Sequence, residues 1–156
     1  MKTKLFTSNP LWPGGIFIVR IFTGIMIIPH GQELFDANRM KEMFSFLNDI
    51  KFPLATPLGY LAKISEFFGG ILIIAGLFTR IVTIPLMITM CVVIKIMGGG
   101  NIFNDTSATL FFLLFLGIFF TGPGKWSLDY LLFDRKNKLK NPELQKERVV
   151  KRRVSA

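Results

Sequence analysis

What this sequence has least of is thiol and imidazole: among 156 residues there is one Cys, Cys91, and one His, His30. A single Cys excludes an intramolecular disulfide, a CxxC redox pair and a Cys-based zinc site, and no metal site is expected. A single His excludes a haem held by two histidines of one chain; haem would need a Met or a second subunit. Walker loops, a GxGxxG after a strand, a GxSxG elbow and an HExxH pair are all missing. Soluble-cofactor chemistry is therefore not written in this chain. Acidic residues are scarce as well, 10 against 19 Lys and Arg, for a formal charge of +9.

Apolar residues are plentiful. Hydrophobic residues make up 51% of the chain, 17 of them Phe, and the mean hydropathy is +0.48. A soluble domain of this length cannot hide that much apolar surface, so the bilayer is the expected solvent. The fold class that follows is all-α, an integral membrane bundle of four transmembrane helices. Spans are expected at about residues 11–31, 58–78, 81–97 and 106–121. Residues 1–10 precede the first span, which lacks a small-residue cleavage site and carries Arg20 in its middle; it reads as an uncleaved helix rather than a leader. Trp12 stands where an interfacial aromatic belongs. Arg20, Thr23, Gly24, Ile27, His30 and Gly31 recur at steps of three and four, a small and polar face that should point into the bundle.

Residues 32–57 are too polar to cross. Within them Met40, Met43, Phe44, Leu47 and Ile50 keep helical spacing among charged neighbours, the pattern of an amphipathic segment lying at the outer interface. It can act as a lid or be a short surface helix in a solvated loop. Pro85 is expected to kink the third span. Gly98, Gly99 and Gly100 end that span, Asn104, Asp105 and Thr106 are candidate caps for the fourth, and Gly122-Pro123-Gly124 stops it. Residues 125–156 hold a Trp126-Ser127-Leu128-Asp129 motif and then a basic tail with nine Lys or Arg between Arg135 and Arg153.

Four spans put both termini on one side, and the excess of Lys and Arg there assigns it to the cytoplasm. A basic tail beside a membrane is expected to meet anionic lipid head groups, or merely to enforce topology. Nucleic acid is not an expected partner, because the tail has no aromatics to stack on bases.

The ionisable groups inside the spans are the site candidates, since a charge in hydrocarbon must be paired, neutralised or wet. Glu66 lies roughly 12 Å into the second span from the outer side at 1.5 Å per residue. Arg20 lies about as deep from the inner side, so an Arg20–Glu66 ion pair is expected, direct or through water. It would serve a site or fix the packing of two helices. His30 falls about 15 Å outward of Arg20 on the same face, where it can pass protons or cap backbone carbonyls. Lys63 lies one turn above Glu66; with Asn101, Asn104 and Asp105 these groups would line a cavity open to the outside, Glu66 and Arg20 at its base. Arg80 and Asp129 are expected to form a structural ion pair at the cytoplasmic surface.

The succession of these motifs carries a resemblance. Arg20 to Gly31 ending in His-Gly, then Leu34-Phe35, Glu66-Phe67-Phe68-Gly69-Gly70, Gly76-Leu77-Phe78-Thr79-Arg80 and Gly122-Pro123-Gly124-Lys125-Trp126-Ser127-Leu128-Asp129 resemble the DoxX family of four-helix membrane proteins, over roughly residues 14–130. Glu33 departs from the family's pattern, which often has Lys shortly after His-Gly. The resemblance implies a bacterial inner-membrane protein in a redox setting, because the related DoxD protein is the membrane subunit of a thiosulfate:quinone oxidoreductase. It implies that Arg20, His30 and Glu66 are polar positions inside the bundle and that Arg80 and Asp129 are cytoplasmic ones.

Three functions follow as expectations. The first is the membrane subunit of a quinone-linked oxidoreductase, with a quinone head near Glu66 and His30 and electrons arriving from a protein partner. The second is a non-catalytic anchor or assembly factor, acting alone or as a homo-oligomer, whose outer loop or tail binds a partner. A small transporter or channel subunit with Glu66 in its pathway is the third, although four short spans leave a monomer little room for alternating access.

Overall fold

The computed structural model describes residues 14–124 and 126–134, and every regular element among them is helical. The elements are α1 (Gly15–Gln32), a 3₁₀ turn (Glu33–Phe35), α2 (Ala37–Asp49), α3 (Ala55–Ala75), α4 (Thr79–Ile96), α5 (Thr106–Thr121) and a closing π turn (Tyr130–Asp134). The N-terminal residues 1–13, with Trp12, and the basic tail from Arg135 onward lie outside the described residues.

Local chemistry sets the helix ends. Asp36 opens α2 by accepting from the backbone N–H of Asn38 at 2.9 Å and of Arg39 at 3.3 Å. Asp105, among the three candidate caps, is the one that opens α5, accepting from Ala108 N at 3.0 Å. These carboxylates satisfy donors that have no intrahelical partner. Two ends fall earlier than expected. The second long helix begins at Ala55 because Pro57 sits in its first turn, where a missing N–H costs nothing. It stops at Ala75 because Gly76 turns left-handed at φ 68°, with Leu77 N bonded back to Leu72 O. Pro85 lies inside α4, and the helix runs on through it to Ile96.

α1 with its following turn, α3 and α4 are each long and apolar enough to cross a membrane. The helix α5 is apolar but has 16 residues, about 24 Å at 1.5 Å per residue against a hydrocarbon core of roughly 30 Å. The four pack in the cyclic order α1, α3, α4, α5, back to α1. Ile27, Ile73, Leu86, Met90, Phe111, Phe115 and Ile118 fill the centre. The tightest seam joins α1 to α3: a Cβ on Gly24 would stand 2.7 Å from the carbonyl oxygen of Gly70, so the crossing requires glycine. Arg20, Thr23, Gly24, Ile27 and Gly31 of the expected inward face are buried, while His30 is exposed. Outward lie Phe22, Met26, Ile81, Ile88, Leu113 and Phe120, each more than half exposed. A surface this apolar suits hydrocarbon rather than water.

Alternation of the helices makes two polar ends. One collects the start of α1, the α3–α4 turn and the segment after α5. The other collects the end of α1, α2 and the start of α3. The amphipathic segment is a helix, as its spacing indicates, and it lies on α3, with the Phe44 and Tyr60 rings 5.0 Å apart. Its backbone stays clear of α4.

Candidate functional site

At the α2 end, Glu66 is 3% exposed and faces Lys63, one turn earlier on the same helix. The Lys63 ammonium has three donors and three partners: Glu66 Oε2 at 3.0 Å, Glu33 Oε2 at 2.9 Å and the carbonyl oxygen of His30 at 3.1 Å. It therefore holds two carboxylates and one of the last carbonyls of α1, where a cation also complements the helix dipole. The chain of charges continues to the surface. Arg39 of α2 lies 3.5 Å from Glu33 and 3.9 Å from Asp36.

Beside these charges is a cleft of about 510 Å³ bounded by α2, α3 and α4. Met43, Phe46 and Leu47 of α2 wall one side, Ile88, Val92 and Ile96 of α4 the other. Glu33, Lys63 and Glu66 line its polar edge, and the hydroxyls of Ser65 and Thr89 meet across it at 3.4 Å. Because α2 packs on α3 but stands away from α4, the cleft occupies the gap between α2 and α4. Its size and mostly apolar lining match sites that enclose small amphipathic molecules.

The expected Arg20–Glu66 ion pair is not made. Arg20 is 1% exposed at the other end, where its Nη1 donates to Pro123 O at 2.7 Å and its Nη2 to Trp126 O at 2.8 Å. Its guanidinium stands 5.6 Å from the centroid of the Phe17 ring and packs against Gly76, where any Cβ would collide with it. The reason is directional. Side chains lean toward the N-terminus of their own helix, and α1 and α3 run antiparallel. Comparable depths along the two spans thus send Arg20 and Glu66 to opposite ends, and Gly76 is ten residues, about 15 Å, along α3 from Glu66.

The one hydrogen bond that His30 makes to the site is through its backbone carbonyl, while its imidazole stands within electrostatic range of Glu66. Its ring packs edge-on against Phe111 of α5 at 5.6 Å and does not line the cleft. Asn104 donates to Gly98 O and Asp105 caps α5, so these two serve their own loop rather than a cavity over Glu66. The expected Arg80–Asp129 ion pair is likewise absent among the described residues. Both Asp129 oxygens accept backbone N–H groups, from Phe78 at 2.7 Å and Thr79 at 2.9 Å, and Asp129 N donates to Gly76 O at 2.9 Å. Arg80 lies instead beside Gly122.

Two residues of the cleft carry more than their sequence context suggests. Lys63 is expected one turn above Glu66 on the same helix face, but the sequence does not show that its ammonium bridges Glu66 to Glu33. Glu33 reads as a departure from a family pattern, and only the fold shows that it turns back onto Lys63.

Comparison with known proteins supplies one family and one relative. The family described as DoxX matches residues 15–99. An uncharacterized protein of Haemophilus influenzae is 29% identical over 140 residues, covering 79% of this chain and 94% of that protein. No solved structure matches.

Proposed function

The chain belongs to the DoxX family of membrane proteins, and from that premise we propose that its four apolar helices form a bundle across a bacterial inner membrane and serve a quinone-linked oxidoreductase as its membrane subunit. Both termini then lie in the cytoplasm, where the basic tail meets anionic head groups.

The observation that carries the reading is the Lys63–Glu66 pair set into the edge of an apolar cleft between α2 and α4. A quinone has the matching chemistry: an apolar tail, a flat ring and carbonyl oxygens that accept hydrogen bonds. Met43, Phe46, Ile88 and Val92 would hold the apolar part, and Lys63 would turn one of its three hydrogens from a present partner to a quinone carbonyl oxygen. Reduction of a quinone to a quinol takes two electrons and two protons. The electrons are assigned to a donor on a protein partner, and Glu66 is placed to give and regain a proton. Arg20, grouped with Glu66 and His30 from the sequence, does not belong to this site; it closes the opposite end.

Mass spectrometry of small molecules that co-purify with the full chain in mild detergent tests this. A quinone is expected with the wild type and, in Glu66→Gln, at roughly a tenth of that level, because Lys63 loses the carboxylate that holds it at the cleft edge. No quinone with either protein, and a stable protein partner with both, would replace this reading with that of a non-catalytic anchor.

A further inference from the structure

Glu66 is buried, and a buried acid that must exchange protons repeatedly needs a route to water. We infer that Glu33 is the port of that route and that Lys63 is the relay, carrying protons between Glu33 and Glu66; the use made of those protons rests on the quinone reading.

The geometry is that of a graded path. Side-chain exposure falls from 33% at Glu33 to 13% at Lys63 and 4% at Glu66. One ammonium is within hydrogen-bond distance of both carboxylates, at 2.9 Å and 3.0 Å. The other groups around it are accounted for. The His30 carbonyl takes the third ammonium hydrogen, the His30 imidazole on α1 stands within electrostatic range of Glu66, Arg39 faces Glu33 from α2, Asp36 faces Arg39, and Glu42 lines the same cleft. Helix α4 contributes hydroxyl Thr89 but no charged group to the cleft.

The transfer balances. An N–H bond of Lys63 breaks as an O–H bond forms on Glu66, leaving a neutral amine and a neutral carboxyl. Glu33, a carboxylate at the start, takes a proton from hydronium at the cleft mouth and passes it to the amine. The net result is one proton moved inward, with Lys63 again an ammonium and Glu33 as it began. Two carboxylates flanking one cation leave the cluster with a surplus negative charge that a travelling proton neutralises.

The test separates relay from scaffold. Arginine at 63 keeps a cation between the carboxylates but does not give up its proton. The full chain in lipid nanodiscs is jumped from acid to neutral pH, and the carboxyl band of Glu66, assigned by its loss in Glu66→Gln, is followed by infrared spectroscopy. Lys63→Arg and Glu33→Gln are expected to slow deprotonation of Glu66 by roughly a hundredfold, with thermal unfolding unchanged in Lys63→Arg, and Glu33→Asp to restore the rate. Wild-type rates in both Lys63→Arg and Glu33→Gln, or a Glu66 that stays ionised throughout, would overturn the relay. Binding of decylubiquinone to the same nanodiscs is measured separately. Its absence in the wild type sinks the quinone reading while the infrared rates still decide the relay.

Discussion

Asp129 caps a helix that begins fifty residues before it: its carboxylate accepts the backbone N–H groups of Thr79, at 2.9 Å, and of Phe78, at 2.7 Å. The segment after α5 is thereby fastened under the α3–α4 turn. The donors it satisfies are those that a helix start leaves unpaired.

Replacing that cap is expected to be costly where replacing its supposed ionic partner is not. Asp129→Ala should lower stability by about 1–2 kcal/mol, the usual loss for an N-cap carboxylate. Arg80→Ala should stay within about 0.5 kcal/mol, as for a surface residue outside any network. Thermal unfolding in detergent reads both. Equal losses would mean that the ion pair, and not the cap, holds this end.

Arg20 supplies the second fastening. Arg20→Met removes two charge-assisted hydrogen bonds and leaves the carbonyls of Pro123 and Trp126 to find new donors, a loss of about 3 kcal/mol or more. Arg20→Lys should recover less than half, because an ammonium lacks the planar fork that reaches both carbonyls. Limited proteolysis between Pro123 and Asp129 should accelerate in both variants.

Coupling between charged residues distinguishes the two ends. A double-mutant cycle of Arg20→Met with Glu66→Gln should give an interaction energy below about 0.5 kcal/mol, as for separated sites. Lys63→Met with Glu66→Gln should give about 1–3 kcal/mol, as for groups in direct contact. A large Arg20–Glu66 term would contradict the observed placement of the guanidinium.

These contrasts show what the sequence makes legible and what it leaves out. The period of three and four along α1 correctly marks Arg20, Thr23, Gly24, Ile27 and Gly31 as one buried face, because helical spacing is a local property. The amphipathic α2 and the Asp105 cap are legible for the same reason. Partners across helices are not. Depth counted in residues ignores the lean of each side chain, which reverses between antiparallel neighbours, and so Arg20 and Glu66 are wrongly joined. Glu33 meets Lys63 only because the 3₁₀ turn after α1 folds back, and no spacing rule announces that return. A cavity beside Lys63 and Glu66 is expected from the sequence, but its apolar walls are not, because they exist where α2 fails to reach α4, a property of three elements together.

Filling the cleft tests its occupancy directly. Val92→Trp places an indole into space that is already open between α2 and α4, so stability should change by less than about 1 kcal/mol. A co-purifying quinone should fall by about tenfold or more, which corresponds to roughly 1.4 kcal/mol of binding. Undiminished quinone would place it elsewhere on the chain.

The gap between α2 and α4 has a consequence for how any occupant must be counted. In the proposed membrane placement the gap faces acyl chains and draws on a reservoir dissolved in lipid, so the governing quantity is moles of occupant per mole of lipid rather than moles per litre of buffer. Diluting the preparation with buffer would leave the cleft equally filled. Adding empty vesicles or detergent micelles at constant total volume would drain it.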